Sequence, residues 1–219
     1  MPRNFGEHHK AGTIRGVATF TAAYILAVGV GAVLSGNREF VFYIVVMVLL
    51  MAAVFVLDRR IGFSAPVLWG LSIWGLAHMA GGLVPVPESW PVNGPVRVLY
   101  SWWLIPAYLK YDHVVHAYGF GVTTWVCWEG LRSILAGPGA DPAVRPTTGK
   151  IVLCGAAALG FGALNEIVEF CAVLLVPETN VGGYYNTGWD LVANLAGVVI
   201  ASAAIACCSC DRGRGRTAR

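Results

Sequence analysis

The residues able to do chemistry in this chain are few, and they fall in four short groups. His78 stands alone; Asp112, His113 and His116 follow; Asn165, Glu166 and Glu169 form a third group, and Asp190 with Asn194 a fourth. Only residues three or four apart share a helix face. Asp112 with His116, Glu166 with Glu169, Asn165 with Glu169 and Asp190 with Asn194 all meet that spacing, and His113 lies three before His116. Histidines and carboxylates presented by facing helices suit a divalent metal such as Zn, Mn or Fe. Without metal, a histidine beside carboxylates is a general acid/base device in which the acids share protons.

These groups are embedded in an unusually apolar chain. Of 219 residues, 57% are hydrophobic and 12% charged, and the mean hydropathy is +0.65, against roughly 25% charged residues in an ordinary soluble domain. That excludes a soluble globular protein. The expected architecture is an all-α transmembrane bundle, one integral domain over 1–219. Its six spans lie near 17–35, 40–57, 64–84, 113–135, 151–176 and 186–208, each near the ~20 residues that cross a bilayer. The first span has a longer apolar run than a signal peptide and reads as an uncleaved anchor. The net charge of +3 follows from topology and not from a nucleic-acid partner. Arg3, Lys10, Arg15, Arg59, Arg60, Arg132, Arg145, Lys150, Arg212, Arg214, Arg216 and Arg219 occupy the termini and even loops. Only Arg38, Arg97 and Lys110 lie opposite. Both termini are therefore expected in the cytoplasm.

Two connections stand out. The stretch from Gly137 to Gly149 reads as a cytoplasmic loop, since its Gly and Pro residues cannot continue a helix. The extracytoplasmic loop 85–111 interleaves Trp90, Tyr100, Trp102, Trp103 and Tyr108 with five prolines. It reads either as an aromatic anchor at headgroup level or as a lid or interfacial helix.

Depth groups the polar residues. His78 lies ~9 Å inside the outer end of its span, and Glu169 and Glu166 ~10 to 15 Å inside theirs, by helical rise. His116, Asp190 and Asn194 lie three to eight residues inside their outer ends. Ionisable groups at such depths cost several kcal/mol unless paired. Interhelical glue needs no such concentration at one depth, so a pocket open to the extracytoplasmic side is expected. Glu129 with Arg132 reads as an ion pair at the cytoplasmic interface. The six cysteines are scattered or lie at the cytoplasmic end of the last span, where thiols stay reduced.

LAHMAGG at Leu76–Gly82, YDHVVHAYGF at Tyr111–Phe120, NEIVEF at Asn165–Phe170 and NTGWDLVANLAG at Asn186–Gly197 resemble the motifs of the YjdF-type family of bacterial inner-membrane proteins. The last three are also similar to the broader VanZ-like group, whose named member is associated with teicoplanin resistance. The resemblance covers about residues 70–200 and implies a site at His78, Asp112, His116, Glu166, Glu169, Trp189 and Asp190. His113 falls at a variable position, and Asn186 and Asn194 stand where acidic residues are common, which lowers the ligand charge. The resemblance supplies a site and no reaction.

Together these readings place His78, His116, Glu166 and Asp190 as metal ligands and Glu169 as the proton acceptor that activates water. Asp112 orients His116, and Trp189, Asn194 and His113 contribute to binding. The expected function is that of a hydrolase or transferase acting on a lipid headgroup or envelope precursor at the bacterial inner membrane. The other open reading is a non-enzymatic binder or transporter of a cation, a proton or a lipid-linked molecule through the same carboxylates.

Overall fold

The computed structural model describes residues 5–35, 38–136, 144–176, 179 and 181–214, with side chains described over 12–32, 41–136, 144–176, 179 and 181–208. The segment 137–143 of the Gly-Pro loop and the side chains of Arg3, Lys10, Arg38, Cys210 and the basic tail lie outside these residues. Six α-helices follow in order: α1 (Phe5–Ser35), α2 (Arg38–Ile61), α3 (Ala65–Leu83), α4 (Tyr111–Leu135), α5 (Thr148–Leu175) and α6 (Tyr184–Arg214). Their ends have local causes. Gly62 takes a left-handed φ of 72° just past α2, its N–H bonding the Asp58 carbonyl while the Asp58 carboxylate accepts from Phe63 N at 2.8 Å. Ser64 and a proline in the first turn then restart the chain as α3. Thr147 Oγ1 accepts the Lys150 N–H at 3.4 Å, so α5 begins at Thr148, slightly inside the expected loop.

Among the described residues, four stretches are long and apolar enough to cross a membrane: Gly12–Ala32, Val41–Ile61, Thr148–Leu175 and Tyr184–Cys208. Helices α3 and α4 match two of the six expected spans in position but not in apolarity. The reason in α4 is its load of Asp112, His113, His116, Glu129 and Arg132.

The chain forms two compact units, one of Met1–Val115 with Phe170–Val181 and one of His116–Glu169 with Gly182–Arg219, their boundaries falling within α4 and α5. In the first unit α1 lies along α3. The Thr21 and Ser72 hydroxyls bond at 2.6 Å, Phe20 packs on Trp69, and Ala32 and Met79 seal the contact against Tyr43, Ile44 and Met47 of α2.

Loop 84–110 also belongs to this unit, and it differs from the interfacial helix of the sequence reading. Its five prolines leave one 3-10 turn, Leu99–Ser101, followed by the antiparallel strands β1 (Trp103–Ile105) and β2 (Leu109–Lys110). Bridges Pro85↔Val98 and Val92↔Trp102 and the stacked Trp90 and Trp102 rings, 4.2 Å apart, close the base.

In the second unit α4, α5 and α6 pack through small residues, as helices do where backbones must approach closely. A Cβ at Gly197 would overlap the Ala117 carbonyl of α4, and one at Gly162 would come 2.8 Å from the Asn194 amide. Below this crossing Trp128, Cys154 and Ile205 form a core with Trp125, Leu131 and Ile151. Gly197→Ala should therefore cost about 1–3 kcal/mol, read as a lower thermal midpoint in detergent. Gly160→Ala, where a Cβ meets nothing within 4 Å, should not lower it. Equal midpoints would remove the close crossing of α4 and α6.

Candidate functional site

Three helices of the second unit bring polar side chains together. His116 comes from the start of α4, Asn165, Glu166 and Glu169 from the later half of α5, and Asn186, Asp190 and Asn194 from the first turns of α6. His116 is 3% exposed and Asp190 and Asn194 are 0% exposed. One ligand atom from each of His116, Glu166 and Glu169 lies within 4.8 Å of the others, and His116 and Asp190 approach within the same limit. Two ligands bound at about 2.1 Å to one ion stand roughly 3.4 Å apart at a tetrahedral angle. The 4.8 Å limit on the trio is wider than that, so these side chains could hold a divalent ion only by drawing closer together.

The hydrogen bonds give these groups distinct characters. His116 Nδ1 lies 3.0 Å from Asn194 Oδ1 and 3.9 Å from Glu166 Oε1. An amide oxygen only accepts, so this contact puts the proton of a neutral ring on Nδ1 and leaves Nε2 unprotonated. The close approach at Gly162 packs the Asn194 amide from α5. Asn165 Nδ2 donates to Glu169 Oε1 at 3.0 Å, and Asn186 Nδ2 donates to Asp190 Oδ2. Each of these two carboxylates is thus tethered one helical turn from its amide.

The other expected residues belong to the first unit or face outward. Asp112 pairs with Lys110 Nζ at 3.4 Å. His113 Nδ1 accepts the Lys110 N–H at 3.3 Å, and its ring meets Trp103 edge-on. His78 packs edge-on against Tyr43, Trp74 and Tyr100, with centroids 5.6 to 6.3 Å away. Trp189 is 45% exposed, because it lies about 100° round α6 from Asp190.

Two residues escaped the sequence reading, one in each unit. In the first, Lys110 is buried, though only its place opposite the other cations had distinguished it. Gly162 makes room for Asn194, and its position one turn before Glu166 was the available signal.

Four long apolar helices, two of which meet α4 at a polar cluster, define a helical membrane protein. The chain belongs to the DUF2238 family, described as "Predicted membrane protein", which matches residues 16–210. It is the YjdF-type family that the four motifs resemble. No curated protein and no solved structure matches the chain.

The orientation of His116 is open to direct measurement. In histidine-labelled protein at alkaline pH, the His116 ¹⁵N resonances, assigned by their loss in His116→Gln, should report the Nδ1–H tautomer. Asn194→Leu should shift them toward a tautomer mixture and destabilise the fold by about 1–3 kcal/mol. An Nε2–H signal in the wild type would contradict the assignment.

Proposed function

We propose that the chain 1–219 is a six-span domain of the bacterial inner membrane with both termini in the cytoplasm. Its second unit would then be a metal-dependent or acid/base enzyme acting on a lipid headgroup or envelope precursor. The observation that carries this reading is the His116, Glu166 and Glu169 trio, whose ligand atoms lie within 4.8 Å of one another. Sidedness supports it. His116 and Asp190 lie near the starts of α4 and α6, and Glu169 lies toward the end of α5. Arg132 and Lys150 occupy the opposite ends of α4 and α5. By the distribution of basic residues, the polar end faces outward.

In this reading His116 and Glu166 hold Zn, Mn or Fe, with Asp190 beside them. The ion, when bound, supplies Lewis acidity. Glu169, held by the Asn165 amide, accepts the proton of an attacking water. The likeness of the three later motifs to the VanZ-like group favours a cell-envelope precursor as substrate. A second reading rests on the amide-tethered carboxylates Glu169 and Asp190. Groups of this kind also bind and release protons or cations along a membrane path.

Plasma mass spectrometry on protein purified without chelator and resupplied with metal should find near-stoichiometric ion in wild type. It should be lost in His116→Ala and Glu166→Gln and kept in Glu169→Gln, with all variants folded by circular dichroism. In proteoliposomes Glu169→Gln should abolish headgroup release. No metal in any sample would overturn the metal site, and proton flux through the same vesicles would establish the second reading. For topology, a reporter active only in the cytoplasm should work when fused after Arg219 and fail when inserted at Glu88. The reverse pattern would invert the domain.

A further inference from the structure

The twelve residues from Val98 to Leu109 (VLYSWWLIPAYL) carry no charge. Arg97 and Lys110 bracket them, and both turn back on the protein. Arg97 Nη2 donates to the carbonyls of Pro87 and Trp90, and Lys110 pairs with Asp112. Charge is held at the base of the β1–β2 hairpin and is absent from its tip.

The tip itself is built against the usual rules for a turn in water. Tyr108 N–H bonds the Ile105 carbonyl at 3.0 Å, with Pro106 and Ala107 at the two corners. Ala107 holds a left-handed φ of 65°, the conformation in which glycine or asparagine relieves strain. An alanine there accepts backbone strain and keeps polar groups off the tip. Around it Ile105 is 53% and Tyr108 79% exposed, with Leu104 also exposed. Base and tip are joined by β1, Trp103–Ile105, whose two steps span about 7 Å by strand rise. Interfacial segments bury their apolar parts about 5–10 Å into the headgroup and acyl boundary.

We propose that the hairpin tip, Leu104–Tyr108, is a lipid wedge. It inserts into the bilayer with Ile105 among the acyl chains and the Tyr108 hydroxyl directed at the headgroups. The occupant of this apolar surface is the phospholipid leaflet itself, because the chain is a membrane protein and the hairpin confines its charge to its base. The insertion is independent of the metal site. Only the choice of the outer leaflet rests on the topology proposed above.

The test places nitroxide labels on the full chain in phospholipid nanodiscs, with Cys207, Cys208 and Cys210 replaced by serine. Tyr108→Cys and Ile105→Cys report the tip, and Glu88→Cys reports an exposed position of the same loop. Both tip labels should collide with dissolved oxygen in preference to a water-soluble nickel chelate, by a ratio several-fold above that at Glu88, which should favour nickel. A nickel preference at the tip would overturn the wedge. Low access to both probes would also overturn it, and would instead indicate a covering protein surface such as a second copy. Either tip position suffices if the other variant fails to fold.

Discussion

A polar group placed in hydrocarbon must find its partner within the protein, because no water is available to satisfy it. That constraint organises the second unit. His116 on α4 reaches Asn194 on α6, and the two can meet only because Gly197 brings the α6 backbone against Ala117. Gly162 in turn admits the Asn194 amide against α5. Glycines without side chains to pack thus set the distances at which imidazole, amide and carboxylate meet. The chemistry available to His116 follows from that packing, since Asn194 decides which nitrogen carries the proton.

The same constraint explains the difference between local and distant pairs. Asn165 with Glu169 and Asn186 with Asp190 are separated by one helical turn. Such pairs form as soon as the helix does and hold each carboxylate in place before any neighbour arrives. The contacts of His116 with Asn194 and Glu166 close only when helices pack. Local pairs position the acids, and tertiary packing assembles them around one base. In the first unit polar groups are handled otherwise. Lys110 and Asp112 neutralise each other beside His113, and His78 is accommodated by the edges of Tyr43, Trp74 and Tyr100.

The loop between α3 and α4 shows where periodicity carries least information. Its prolines and aromatic rings marked it as interfacial, and the composition was compatible with an anchor or a helix. Pairing of Trp103 with Lys110, and stacking of Trp90 on Trp102, are contacts across the hairpin that no helical or alternating pattern encodes. Proline supplied the bias against a helix, and the bridges supplied the shape.

By itself the sequence determined that this is a helical membrane protein, because long apolar blocks separated by short polar ones have few other solutions in lipid. It also determined the approximate helices and the residues three or four apart that share a face, since helical geometry is local. It could not decide that Asn194 makes the 3.0 Å bond to His116 Nδ1, nor that His78 lies among aromatic rings. Nor could it bury Lys110 or fold β1 onto β2. Each of these depends on how one element meets another, and that is set by steric fit at glycines and ring edges, which spacing along a single helix does not contain.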